Sequence, residues 1–344
     1  LIIPDEPKVS ALMKIIYNGP GKVNSLSDPA TDYDGFIGIE RRGSTSQDLS
    51  NKKPYGVELR DAQGNNLDTA LLGMPREHDW ILLAPYSDKT MMRDALAYIL
   101  AGKMMDYAPR VWFCELYINN TYQGVYILTE KIKQDKDRVD IASLTPADLS
   151  GDELTGGYII KIDKTTGGSP VDGWETNFGT RNFYQYHDPK ASDLLPQQRN
   201  YIQQVITNFE SVMSSDYWDD PARGYFKLID ASTFVDFFLV NELSRNVDGY
   251  RLSTYLYKDK DSKDPRIKMG PVWDFNITFG NADYCEGGST DGFAVNFNAV
   301  CPTDYFGIPF YWNKLLEEPV FRKKVATRWF DLRNKFLSTA ALHN

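Results

Sequence analysis

The chain is poor in the residues that most often reveal a protein's chemistry. Its 344 residues include three cysteines and three histidines. That is too few to show a disulfide framework, and His78, His187 and His343 are poor material for zinc. Cys285 and Cys301 bracket a Gly/Asn-rich loop as a candidate bridge, leaving Cys114 alone on an expected strand. Basic charge is not in excess. Lys and Arg number 38 against 47 Asp and Glu, a net charge of −9, which argues against a nucleic-acid partner. No apolar run approaches the roughly 20 residues that span a bilayer, so no transmembrane segment is expected. No flexible linker, repeat or low-complexity tract divides the chain, and 42% of it is hydrophobic. The expectation is one bilobed domain over 1–344, with any metal chemistry built from oxygen ligands. The chain begins at Leu1 rather than Met, so it reads as a trimmed or processed product that has lost a signal peptide or lipid anchor.

Periodicity organises what is present. Residues 12–18, 34–43 and 53–61 alternate apolar and polar as strands do. Residues 86–104 switch to helical spacing, with Ser87 or Asp88 as cap and Met92, Leu96, Ile99, Leu100 and Met104 on one face. Residues 110–132 read as a hairpin turning at Asn119–Asn120, and 156–164 as a further strand. Helices are expected at 196–215, at 230–246 with Asp230 as cap, and at 319–342 with Pro319 in its first turn. Strands first and helices later, with one hairpin among the helices, is an α+β layout. Its lobes divide near 165: a sheet-rich 1–165 and a helical 166–344. The Gly-rich stretch at 286–293 reads as a surface loop, since no helix clearly follows it.

The stretch "GPVWDFNITFG" at 270–280 carries an acid, Asp274, inside an apolar run. Buried bare, that carboxylate would cost several kcal/mol, so it is expected to be paired, hydrogen-bonded or metal-bound. Upstream, Asp248-Gly249 marks a turn, 251–258 and 266–273 read as strands, and 259–265 as a polar loop. Folded antiparallel about Asp261, the two strands bring Asp248 and Asp274 to the same mouth. Two like charges there call for a divalent cation or a shared proton. Magnesium suits such a pair, completing its shell with water and phosphate oxygens.

Here the sequence resembles the spore-coat protein H (CotH) kinase family. The resemblance is carried by "NELSRNVDGYRLSTYLYKD" and "WDFNITFG", by "IERRGSTSQ…NKKPYGVEL" (39–59), by "WILLAPYSDKTMMRDALAYILA" (80–101) and by "CELYINNTYQGVYILTEKI" (114–132). It implies an atypical protein-kinase-like bilobed fold that uses ATP and Mg²⁺ or Mn²⁺. It implies phosphotransfer to Ser or Thr of a secreted or cell-envelope protein. By that resemblance Asp248 is the catalytic acid and Asp274 the metal ligand. Ser253 stands where kinase-like sites place a metal-binding Asn, and Asn276 where the family often repeats Asp. These departures leave open a catalytically weakened pseudokinase serving as a structural or adhesive surface protein. Lys53 and Lys161 are the candidate phosphate grips, with Glu130 as an acid partner and Arg42 a further candidate. Tyr250, Tyr255 and Trp273 are candidates to stack on a base or wall the cleft, and of these Trp273 is expected to pack, holding the Asp274 carboxylate at the mouth. A glycan-acting protein is a third reading, resting on the aromatic richness and the paired acids.

Overall fold

The computed structural model describes residues 2–43, 50–165 and 172–342. The part of the "IERRGSTSQ" motif from 44 onward and His343 lie outside them. The chain separates into two compact units, one of Leu1–Ala95 with Pro109–Lys131, the other of Leu96–Ala108 with Ile132–Asn344.

The first unit is an antiparallel six-stranded sheet in the order β1-β2-β3-β4-β6-β5. Its strands are β1 (Val9–Ile15), β2 (Tyr33–Arg41), β3 (Tyr55–Arg60), β4 (Asp79–Leu83), β5 (Val111–Ile118) and β6 (Thr121–Glu130). Alternation places Ile37, Ile39, Val57, Leu59, Trp80, Leu82, Tyr126 and Leu128 in one core. The β5–β6 hairpin turns where expected. Asn119 and Asn120 both take positive φ, 49° and 62°, the signature of the turn whose twist matches a hairpin. β4 was not expected as a separate strand, since its continuous apolar run lacks alternation.

Helix α1 (Arg93–Ala101) begins later than the spacing predicts. Asp88 caps it as expected, accepting from the amides of Thr90 (3.0 Å) and Arg93 (2.9 Å). The predicted apolar face is a correction. Leu100 and Met104 are buried, but Met92, Leu96 and Ile99 are exposed. Ala97, Tyr98 and Ala101 line the buried side instead, because small residues let the backbone approach its neighbours closely.

The second unit holds an antiparallel five-stranded sheet, β11-β10-β7-β9-β8. Its strands are β7 (Tyr158–Ile162), β8 (Gly173–Asn177), β9 (Arg181–Asp188), β10 (Thr254–Lys258) and β11 (Lys268–Met269). The expected lone hairpin among helices is therefore the edge of a sheet. Within the order β10-β7-β9, β10 pairs with β7 across about 90 to 100 residues, which local periodicity does not record, whereas β7 and β9 are near neighbours in the chain. Around the sheet run α2 (Pro196–Ser214), α3 (Ala231–Ser244), α4 (Tyr311–Glu317) and α5 (Pro319–Arg333). Asp230 caps α3 through the Ser232 amide at 3.0 Å. The closing helix does not run unbroken to 342. It stops at Arg333, and a separate short turn forms at Thr339–Leu342. Phe209, Phe234, Phe237, Tyr250, Tyr311 and Trp312 interlock in an aromatic core. Among the described residues no helix is long and apolar enough to cross a membrane.

Candidate functional site

Asp248 sits on the loop that leaves α3, and its backbone is set by asparagines. Arg245 ends the helix in the left-handed region at φ 50°. Asn246 donates its side-chain amide to Asn241 Oδ1 (2.9 Å) and accepts from the Asp248 amide (3.2 Å). Gly249 is required here. A Cβ would come within 2.3 Å of Asn241 Oδ1 and 3.0 Å of the Asn246 carbonyl.

The Asp248 side chain is 28% exposed. Its Oδ1 accepts from Arg251 Nη2 at 2.8 Å and from the Tyr284 hydroxyl at 3.1 Å. Neither bond uses Oδ2, which has no hydrogen-bond partner among the described residues. Burial raises the carboxyl's pKa above the ordinary range, while Arg251, Tyr284 and the charge of Lys164 act against that rise. A carboxylate held by one oxygen, open at the other and shifted toward neutrality has the properties of a general base.

The Asp274 segment reaches the same neighbourhood through its backbone. The Phe279 amide donates to the Ser244 carbonyl at 2.7 Å, joining the end of "WDFNITF" to the last turn of α3. Trp273 packs as expected, with its ring centroid 5.8 Å from that of Tyr98. The Tyr98 hydroxyl accepts the Asp274 amide at 3.0 Å. Asp274 itself is not buried as its apolar surroundings suggest. Its φ is 63° and the residue is exposed, the burial being carried by Val272, Phe275 and Thr278. The left-handed turn rotates the acid out of the apolar face.

The hairpin forms, but its pairing is short and its register differs from a fold about Asp261. Leu256 faces Met269 and Tyr257 faces Lys268. Carried down the strands, that register sets Arg251, not Asp248, opposite Asp274. Ser253 is half-buried at φ 46°, and Asn276 is half-buried with its carbonyl accepting from Asn281 Nδ2 at 2.7 Å. The hydroxyl, carboxylate and amide oxygens of Ser253, Asp274 and Asn276 are each hard donors, of the kind that suits Mg²⁺ or Mn²⁺ rather than a soft metal.

Lys161 lies on β7 beside Tyr255 and Gln185 and pairs with Asp163 at 2.8 Å. In the first unit, Glu130 is fully buried, holding the Arg110 guanidinium (2.8 Å) and its amide (2.9 Å). Lys53 is half-buried, and its carbonyl accepts from the Tyr126 hydroxyl (3.0 Å). Arg42 is half-buried, its amide donating to the Pro54 carbonyl at 3.0 Å. Of the aromatic candidates, Tyr250 is removed. It is fully buried against Trp312, and its hydroxyl donates to Glu242 at 2.7 Å. Tyr255 is 5% exposed, against the edge of His187.

The candidate bridge is formed, Cys285 to Cys301. Elsewhere Asp68, Glu77 and His78 offer three ligand atoms within 4.8 Å. His78 Nδ1 is already engaged by Asp68 (2.6 Å) and Glu77 (3.0 Å). Sequence reasoning missed Arg251, Tyr284 and Lys164 beside Asp248. Only Asn246, an Asx-turn former two residues before Asp248, left a readable signal.

Compared with known proteins, residues 39–344 match the family model described as CotH kinase protein. No curated protein matches the chain.

Proposed function

This chain belongs to the CotH kinase family, and from that premise we propose that it transfers the terminal phosphoryl group of ATP to a Ser or Thr hydroxyl of a secreted or cell-envelope protein. The observation that carries the reading is Asp248, pinned through Oδ1 with Oδ2 left to accept. In this reading Oδ2 takes the proton of the acceptor hydroxyl as that oxygen attacks the γ-phosphorus, the bond from phosphorus to the β–γ bridging oxygen breaks and ADP leaves. Arg251 and Tyr284 hold the carboxylate in place and stabilise its charged form. Asp274, with Ser253 and Asn276, would hold the divalent cation, which neutralises phosphate charge when bound. Lys161, in the same unit as Asp248 and Asp274, is the candidate to grip phosphates. Rate enhancement in such a site comes mainly from positioning and electrostatics. The Cys285–Cys301 disulfide supports an oxidising, extracytoplasmic location.

A second reading is favoured by Ser253 and Asn276 standing where Asn and Asp are expected: a weakened kinase that binds nucleotide and serves as a surface protein. Melting separates the two. ATP with Mg²⁺ or Mn²⁺ at a hundred times its dissociation constant should add about 2.7 kcal/mol, and Asp274→Ala should remove the gain. No gain in the wild type would reject nucleotide binding. Asp248→Asn should lower phosphate transfer about 10²- to 10⁴-fold while keeping the ATP-dependent gain. A melt shift with no transfer to any acceptor selects the weakened kinase.

A further inference from the structure

The hydrogen bonds around Asp248 form two arms that one disulfide joins into a ring. One arm leaves Oδ1 through the Tyr284 hydroxyl, and Tyr284 is followed directly by Cys285. The other leaves the same Oδ1 through Arg251 Nη2. Arg251 Nη1 continues to Asp304 Oδ1 at 3.2 Å, and the Asp304 amide donates to the Cys301 carbonyl at 3.2 Å. The Cys285–Cys301 disulfide joins the two arms, its Cα atoms 5.7 Å apart.

The loop inside the bridge is docked onto the same stretch at further points. Arg245 donates to the Glu286 carbonyl at 3.3 Å and pairs with its carboxylate at 3.5 Å. Glu242 accepts from the amides of Ala294 (2.6 Å) and Val295 (2.9 Å) while holding Tyr250. The Arg251 guanidinium, 2% exposed, lies 3.8 Å from the centre of the Phe297 ring, and the Phe297 carbonyl accepts the Cys301 amide at 2.7 Å. The contacts made by Arg245, Glu242 and Arg251 tie the bridged loop to residues 242–251.

We propose that the Cys285–Cys301 disulfide is a positioning device for the catalytic base: it holds Tyr284 and, through Asp304, Arg251 at Oδ1 of Asp248, and opening it lowers phosphotransfer without unfolding the protein. The catalytic part of this rests on the phosphotransfer reading; the positioning part does not. The physical reason is chain entropy. Tyr284 lies on an irregular loop with a half-exposed ring, and one hydrogen bond contributes only about 1 kcal/mol. A cross-link over sixteen residues restricts the loop before that bond forms. Opening the bridge with a dithiol reductant takes two electrons and two protons, giving two protein thiols and a cyclic disulfide from the reductant.

Three preparations test this: intact protein, protein treated with dithiothreitol, and Cys285→Ser/Cys301→Ser. Amide hydrogen exchange over 245–252 is read beside phosphate transfer from ATP with Mn²⁺ to casein and to the chain itself. Opening the bridge is expected to speed exchange over 245–252 by tenfold or more and to lower kcat by tenfold or more. The KM for ATP should stay within twofold, and exchange in β1–β6 should not change. Tyr284→Phe keeps the bridge and the ring but loses the hydroxyl. It should move the acidic limb of the pH–rate profile to higher pH, since that bond favours the ionised carboxylate; a purely structural role leaves the limb in place. Faster exchange in protein that transfers no phosphate supports the positioning role and rejects the phosphotransfer reading. Unchanged exchange and rate after the bridge is opened overturn the positioning role and leave that reading standing.

Discussion

The two hairpins of this protein are built on opposite plans. β5 and β6 pair along almost their whole length, from Val111 opposite Thr129 to Ile118 opposite Thr121, across a two-residue turn. β10 and β11 share two residue pairs. The flanks of the second hairpin carry left-handed non-glycine residues at Arg245, Tyr250, Ser253, Asp274 and Phe279. The first hairpin is held by its own ladder. The second is held from outside: Thr233 Oγ1 accepts the Met269 amide at 3.0 Å, the Ile267 carbonyl accepts the Asp230 amide at 2.9 Å, and Ser244 accepts from Phe279. Backbone in sparsely populated conformations persists only where surrounding structure over-determines it, and it gathers at functional sites. The difference teaches where this chain spends stability on shape.

The comparison can be broken by experiment, and the largest effect should come at Leu256. It is fully buried on β10, so Leu256→Ala should cost about 2–5 kcal/mol in denaturant unfolding. Phe113→Ala on β5, whose ring is 46% exposed, should cost far less; equal costs would erase the contrast. Next comes strain. Without ligand, Asp274→Gly should be about 1 kcal/mol more stable than Asp274→Ala, since glycine adopts φ 63° without penalty. Both changes should abolish the gain from ATP and metal. Equal stability of the two variants would show that the backbone at 274 is not strained.

A smaller effect follows from charge. Burial raises the Asp248 pKa, so its contribution to stability is complete below the unfolded-state carboxyl pKa and is lost as pH rises through the folded one. Asparagine undergoes no such loss. The Tm advantage of Asp248→Asn over wild type should therefore grow from about pH 3 to about pH 7. A constant difference would mean that Asp248 titrates normally. The smallest change is expected at the legible turn, where Asn120→Gly should stay within about 0.5 kcal/mol of wild type. A larger loss would mean that the turn depends on its side chain.

Much of the scaffold was legible for the reason the first hairpin is simple. Alternation at 34–43 and 53–61, the Asn119–Asn120 turn and the Asp88 and Asp230 caps are all local. The apolar face of α1 was misjudged because exposed Met92, Leu96 and Ile99 share a helical spacing with genuine core. β8 and β9 were missed although they pair with each other across a short turn, because the residues they bury, Thr176, Asn182, Tyr184 and Tyr186, are polar or carry a hydroxyl and leave no apolar alternation to read. At the candidate site, the resemblance singled out Asp248 and Asp274, yet Arg251, Tyr284 and Lys164 were invisible as neighbours. Tyr284 is 36 residues from the acid it touches, and no periodicity spans that gap.

By itself the sequence determined family membership, the α+β character, the first hairpin and the helix caps, because each depends on short-range sterics or on motifs read in order. Only the tertiary structure decided that Asp274 turns outward, that Tyr250 is core, and that two arms of a disulfide-closed ring meet on one oxygen of Asp248. Those facts depend on which distant groups meet after the chain has folded, and on backbone conformations that only packing can enforce.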